Sequence, residues 1–285
     1  MGTNQIREMV AEAYGRAIKK ATPSCCGRSS CCDQTASPIS GIGAANYQDT
    51  DRKSNPGAAA SSFGCGNPLA FSEVKPGEVV LDLGSGAGFD LLLAAERVGD
   101  QGRVIGIDMT EAMLNTARRN IATAGVTNIE VRKGIIEELP VDTASVDWVI
   151  SNCVINLSPE KDRVFKEIAR VLKPGGRVRV SDIVVEEIPE ELKGHQGLYT
   201  SCVAGAISEE HYLQGLRDAG LSEVTVAERL IYDGAMLHGM VAEGDGCGCG
   251  QLQNSFNNDQ LNTMISRVAG KVWSALFVAQ KPTAE

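Results

Sequence analysis

No run of apolar residues in this chain approaches the ~20 that a bilayer-crossing helix requires. No transmembrane segment is therefore expected. Residues Met1 to Val10 carry charges where a secretory leader needs an apolar stretch, so export is not expected either and a cytoplasmic location is. Basic residues are outnumbered, 27 Lys and Arg against 36 Asp and Glu, for a net charge of −9. No basic block stands out, which disfavours nucleic acid as a partner because phosphate neutralisation needs clustered Lys and Arg. Histidine is scarce: His195, His211 and His238 read as surface or packing residues. What remains is ordinary. With 43% hydrophobic and 22% charged residues among 285, the balance is globular and the length suits one to two domains.

Cysteine is the anomaly. Nine cysteines, an odd number, do not fit the disulfide scaffold of a small secreted domain. Reduced thiols leave three readings: inert burial, metal or metalloid ligation, and redox chemistry. Cys25, Cys26, Cys31 and Cys32 crowd a Ser/Gly/Pro-rich stretch, and Cys247 and Cys249 sit in a glycine-rich one. Cys65, Cys153 and Cys202 stand alone in better-structured sequence. The pairs at 25–26 and 31–32 lack the spacing of a zinc finger.

Hydrophobic periodicity predicts an amphipathic helix over 4–20, followed by an aperiodic loop from Ala21 to Ser62. Asn67-Pro68 reads as a helix start. Short apolar strands are predicted at 79–83, 102–107, 128–132, 146–151, 177–185, 223–231 and 272–280. Helices are predicted at 88–98, 111–124, 159–172 and 209–219, the third stopped by Pro174-Gly175-Gly176. Strands alternating with helices imply a parallel, doubly wound α/β sheet. The expected division is an N-terminal helix and Cys-rich loop (1–66), a nucleotide-binding domain (67–185), and a C-terminal substrate-side, sheet-completing region (186–285).

Asp82-Leu83-Gly84-Ser85-Gly86-Ala87-Gly88 follows the first of these strands and opens a helix. Glycines there let the backbone turn and approach a ligand. Asp108 closes the next strand, where a carboxylate suits a ribose diol. The dinucleotide fingerprint wants G-x-G-x-x-G, but Phe89 stands in place of the last glycine. The G-x-G-x-G pattern led by Asp82 resembles the class I S-adenosylmethionine-dependent methyltransferases. That resemblance implies a Rossmann-like sheet with N-terminal helical and C-terminal α+β additions. It also implies that Asp82, Gly84, Gly86 and Gly88 hold the methionine part of the cofactor and Asp108 the ribose. Gly134-Ile135-Ile136-Glu137 supplies the acid beside the adenine.

Three further motifs are more specific. Phe63-Gly64-Cys65-Gly66-Asn67-Pro68, Ser151-Asn152-Cys153-Val154-Ile155-Asn156-Leu157-Ser158-Pro159 and Tyr199-Thr200-Ser201-Cys202-Val203-Ala204-Gly205-Ala206 resemble those of the arsenite S-adenosylmethionine methyltransferases. Gly106-Ile107-Asp108-Met109-Thr110 belongs to the same resemblance, which covers roughly residues 5 to 230. It implies that Cys153 and Cys202 hold As(III), that Cys65 joins them in a redox cycle, and that one of the four thiols at 25–32 takes part. Met109, Ile136 and Asn152 join the cofactor-binding set through these motifs. Trivalent arsenic is soft and prefers thiolates to imidazole or carboxylate. Three thiolates leave it one lone pair, and the protein need only aim that pair at the methyl group. The implied reductant is a thiol such as glutathione or thioredoxin, and the role arsenic detoxification. Two rivals stay open: methylation of another small acceptor with structural thiols, and a non-catalytic thiol-rich metalloid-binding protein.

Overall fold

The computed structural model describes residues 2–21, 47–62, 64, 66–69, 73–186, 205–242 and 258–283. Helix α1 (Thr3–Ala21) opens the chain, and two short helices follow, α2 (Asp49–Ser54) and α3 (Pro56–Ala59). Then come β1 (Val79–Leu83), α4 (Phe89–Val98), β2 (Arg103–Asp108), α5 (Glu111–Ala124), β3 (Ile129–Lys133) and β4 (Val146–Asn152). A 3₁₀ turn (Ile155–Leu157) leads into α6 (Lys161–Val171) and β5 (Leu172–Val185). The last elements are α7 (Glu209–Asp218), β6 (Ser222–Ile231), α8 (Gly234–Ala242), α9 (Asn258–Val268) and β7 (Val272–Gln280). Among the described residues no helix is long and apolar enough to cross a membrane.

The strands form one seven-stranded sheet in the order β3-β2-β1-β4-β5-β7-β6. The first five strands are parallel, while β7 runs antiparallel between β5 and β6. Central parallel strands are covered on both faces, which is why they read as unbroken apolar runs. Val80, Leu81, Val149, Ile150 and Val180 are all fully buried. The parallel reading is thus correct for β1–β5, and β6 and β7 complete the same sheet with only β7 reversed. The chain order turns back between β1 and β4, so a crevice opens at their carboxyl ends. Leu83 pairs with Ser151, which brings Gly84 out beside Asn152 and Cys153.

Two expectations change. Strand β5 begins at Leu172, ahead of the Pro-Gly-Gly expected only to stop a helix. Leu172 pairs with Val146 but Arg177 pairs with Trp148, so Pro174-Gly175-Gly176 bulge out between two paired positions. Asn67 accepts from the Leu69 amide at 3.2 Å, as an N-cap does, over a turn at 68–69; residues 70–72 of the helix start expected there lie outside the described residues. Helices α2 and α3 lie in the stretch read as loop; they are too short to show a 3.6-residue period.

Asp182 on β5 is fully buried. It accepts from the amides of Ile183 and Asn156 and from Tyr212 Oη, at 2.9, 3.1 and 3.4 Å. Burial raises its pKa from 3.8 to about 7. A raised folded-state pKa means that its stabilising contribution is complete below about pH 4 and is lost as pH rises through about 7. The difference corresponds to about 4 kcal/mol between those limits. Asp182→Asn is expected to flatten the fall of thermal midpoint between pH 5 and 8; a variant with the wild-type slope would contradict this.

Candidate active site

The turn from β1 into α4 builds one wall of the crevice. Gly84 takes φ +68°, and a Cβ added there would lie 2.3 Å from Val154 Cγ2. Side chains at this point are therefore excluded twice, by backbone and by space. Asp108, at the end of β2, accepts from the Gly86 amide at 3.0 Å through Oδ2 and from the Thr110 amide at 2.7 Å through Oδ1. Asp82 is buried beneath the turn and Asp90 lies in the first turn of α4. Burial raises the pKa of Asp82 well above the carboxylate range, with Asp90 and Asp108 adding repulsion. Asp90 is raised to about 6, chiefly by burial and against hydrogen bonds from Tyr47 and Asn152. Asp108 is also raised, by burial against the amide bonds it accepts. Three acidic groups crowded at low dielectric thus hold protons more tightly than in water, and a cationic ligand beside them would favour their ionised forms.

These residues face a cavity of about 110 Å³ that opens to solvent. Of the residues expected to bind a cofactor, Asp82, Gly84, Gly86, Asp108, Met109, Ile136, Glu137 and Asn152 line it. Gly88 is not among the lining residues: it takes φ +87° as the N-cap of α4, with Ala117 against it.

Cys153 sits at the rim of the same cavity, directly after β4. It is buried and takes φ +60°, a conformation rare outside glycine. Its amide donates to Ser181 O at 2.8 Å. The turn after it is strapped to β5, since Asn156 donates its amide to Asp182 and its carboxamide to Ile183 O at 2.5 Å. Cys153 is disulfide-bonded. Its partner lies outside the described residues, as do Cys65, Cys202, the four thiols at 25–32, Cys247 and Cys249. Gly64 and Gly66, which flank Cys65 in the chain, are described, and they pack against Asn152 at the end of β4 and Ser181 on β5. Among the described residues no group of three or more His, Cys, Asp or Glu could hold a metal ion.

Glu137 lines the cavity but its carboxylate is engaged by protein. Oε1 accepts from Arg7 at 3.1 and 3.2 Å and from Ser158 Oγ at 2.7 Å. Arg7 also pairs with Glu160. Arg7, Val10 and Tyr14 of α1 all line the cavity, so this pairing fastens α1 across the crevice. Arg7→Met is expected to speed hydrogen exchange throughout α1 and to lower stability by about 1.5–3 kcal/mol, the usual worth of a hydrogen bond to a charged group. Unchanged α1 exchange would show that the helix is held by its apolar face alone. Arg7, Tyr47, Asp90 and Ser158 were not expected at the site. Asp90 carried a faint signal, an acid in the first turn after the glycine loop, and Ser158 lies within the Ser151–Pro159 motif; Arg7 and Tyr47 stand in no motif that spacing could flag.

Residues 74–220 match the family model described as a methyltransferase domain. The chain belongs to the methyltransferase-domain family. Its seven-stranded sheet with flanking helices is the class I S-adenosylmethionine methyltransferase fold. The chain is 45% identical to the arsenite methyltransferase of Halobacterium salinarum, over 79% of this chain and 59% of that one. It is 33% identical to the human arsenite methyltransferase, over 71% of this chain and 54% of that one. The chain thus spans a little over half the length of these curated relatives. A solved arsenic(III) S-adenosylmethionine methyltransferase from Chlamydomonas reinhardtii superposes with a TM-score of 0.62 at 29% identity, covering 86% of this chain and 74% of that one.

Proposed function

We propose that this chain is an arsenite methyltransferase that takes its methyl group from S-adenosylmethionine and acts in the cytoplasm to detoxify arsenic. The observation that carries the reading is the place of Cys153: a thiol residue held in a strained turn at the rim of the carboxylate-lined cavity. The names of the similar proteins support it. The residues fit the cofactor. Gly84 and Gly86 line the cavity with bare backbone, and Asp108, buried among amide donors, lines it beside them. Asp82, Gly84 and Gly86 hold the methionine part, Asp108 the ribose, and Met109, Ile136 and Glu137 the adenine side. Gly88 serves this set indirectly, as the turn into α4.

Bound S-adenosylmethionine supplies a methyl group on a sulfonium sulfur. Cys153, Cys202 and Cys65 hold As(III) as thiolates, which leaves its lone pair free to be aimed at that methyl carbon. The arsenic–carbon bond forms as the sulfur–carbon bond breaks, and the breaking pair stays on sulfur. Arsenic is then formally pentavalent. Two thiolates return two electrons to it and close a disulfide, which a thiol reductant such as glutathione or thioredoxin reopens. The disulfide at Cys153 is compatible with the oxidised stage of that cycle.

Incubating pure protein with arsenite, S-adenosylmethionine and a thiol should give methylated arsenicals with stoichiometric S-adenosylhomocysteine. Arsenic bound without cofactor consumption would point to a metalloid-binding protein. In the same system Asp108→Ala should weaken cofactor binding by roughly ten- to a hundredfold, about 1.5–3 kcal/mol, in calorimetry. Arsenite binding, followed by protein fluorescence, should persist. An unchanged cofactor affinity would remove Asp108 from the ribose site.

A further inference from the structure

The glycines on both sides of Cys65 have a physical explanation in the residue that ends β4. The Asn152 carboxamide pairs with Gly66 in both directions: Oδ1 accepts from the Gly66 amide at 3.1 Å, and Nδ2 donates to Gly66 O at 2.7 Å. The side chain therefore behaves as a peptide group would in a sheet, gripping one residue of backbone by its donor and its acceptor together. This fixes orientation as well as distance. On the other side of Cys65, the backbone of Gly64 passes so close that an added Cβ would stand 2.2 Å from Asn152 Nδ2. At Gly66 an added Cβ would stand 1.8 Å from Ser181 Oγ. Neither position has room for a side chain: Gly64 is crowded by Asn152 at the end of β4 and Gly66 by Ser181 on the neighbouring strand β5.

Asn152 is itself held. Its Nδ2 donates to Tyr47 Oη at 2.8 Å and lies 3.5 Å from Asp90 Oδ2, while Tyr47 Oη donates to Asp90 Oδ1 at 2.6 Å. Tyr47 is buried with its ring edge-on to Phe89, centroids 4.8 Å apart. Phe89 and Asp90 open α4, the helix that leaves the glycine turn. A continuous chain of contacts thus runs from the start of α4 through Tyr47 and Asn152 to the segment that carries Cys65.

We infer that Asn152 is a positioning residue that clamps the Gly64–Gly66 segment against the rim beside Cys153, with Tyr47 and Asp90 holding its carboxamide in the required orientation. The motif resemblance made it a cofactor-binding candidate and it lines the cavity, but its polar atoms are committed to Gly66, Tyr47 and Asp90. Aspartate would keep the acceptor for the Gly66 amide but lose the donors to Gly66 O and Tyr47, and would set a carboxylate beside Asp90. Alanine would remove the grip altogether. The consequence for catalysis rests on the proposed arsenite chemistry; the clamp itself does not.

The test uses full-length reduced protein and the variants Asn152→Ala and Tyr47→Phe. Hydrogen exchange is followed in the peptide spanning residues 62–69, with calorimetry for S-adenosylmethionine. Bridging of Cys65 to Cys153 by dibromobimane is mapped by peptide mass spectrometry. Asn152→Ala should speed exchange in that peptide by about tenfold or more, the loss of a net hydrogen bond or two, and lower the bridged fraction to match. Labelling of each thiol by a monofunctional bimane should persist. Exchange in β1, β4 and β5 should stay as in wild type, which general destabilisation would not allow. Cofactor affinity should stay within about threefold. Tyr47→Phe should shift exchange and bridging in the same direction by less, and its ring contact with Phe89 guards the fold if Asn152→Ala cannot be purified. Unchanged exchange in the 62–69 peptide, or a tenfold loss of cofactor affinity without it, would overturn the clamp. No arm needs an arsenical, so wild-type protein that fails to methylate arsenite yet shows these shifts would refute the proposed activity and leave the clamp standing.

Discussion

Replacing Cys153 by serine is expected to abolish turnover of inorganic arsenite in a protein that still folds and still binds S-adenosylmethionine. The residue packs with Val10, Leu157 and Ile183, a cluster that joins α1, the rim turn and β5. Exchanging sulfur for oxygen removes little volume, so packing is disturbed little. The backbone at φ +60° is retained, because serine meets the same constraint as cysteine there. What changes is the ligand. A hydroxyl is hard and scarcely ionised at neutral pH, and trivalent arsenic favours soft thiolate. The expected loss is roughly a hundredfold or more in rate, about 2.7 kcal/mol or more on the barrier. Cys202→Ser should behave alike. Cys65→Ser should differ: a methylarsenical already carries one carbon and needs only two thiolates, so this variant should lose the first methylation and keep the second. Assays in excess thiol keep the disulfide at Cys153 from complicating the comparison. A lowered melting midpoint with turnover retained at low temperature would instead make Cys153 a packing residue, and full arsenite turnover would end the arsenical site as drawn.

The parts of this molecule legible in the sequence are those governed by local pattern. Val79–Leu83 and Val272–Gln280 have the predicted bounds, because short apolar runs flanked by turn residues have few alternatives. Ser208 caps α7, accepting from the His211 amide, and Gly125 ends α5 in the left-handed conformation. The glycine turn and Asp108 were legible because their spacing follows from the β-α-β unit that carries them. What was not legible depends on partners far away in the chain. Arg7 meets Glu137 across 130 residues, and Asn152 meets Gly66 across 86. Nothing local distinguishes Tyr47, a single aromatic residue in a polar stretch, from a surface tyrosine. The antiparallel insertion of β7 between β5 and β6 is likewise a long-range choice, since the apolar pattern of β7 is the same in either direction.

The most severe effect on cofactor binding is expected from a single added methyl group at position 84. Three positions separate its causes. Gly125 takes φ +70° in the left-handed region with nothing within 4 Å of an added Cβ, so Gly125→Ala feels backbone strain alone. That strain costs about 1–2 kcal/mol. Gly86 takes φ +52°, and its added Cβ would meet Gly84 O at 3.9 Å, an ordinary contact. Gly86→Ala therefore adds strain within the turn but no collision. Gly84 shares the strain, at φ +68°, and also drives its methyl to 2.3 Å from Val154 Cγ2 and 2.6 Å from Val154 Cβ. Those atoms belong to the rim residue next to Cys153, whose turn is strapped to β5 through Asn156 and cannot easily retreat. The turn itself must move, and with it the amide of Gly86 that meets Asp108. Thermal midpoints should fall modestly and alike for Gly125→Ala and Gly86→Ala, and further for Gly84→Ala. Cofactor affinity should be unchanged in Gly125→Ala, lowered by about tenfold in Gly86→Ala, and lowered by roughly a hundredfold or more in Gly84→Ala. Equal affinities for the Gly84 and Gly86 variants would show that backbone strain, rather than the close passage of the glycine turn beneath Val154, sets the limit on this site.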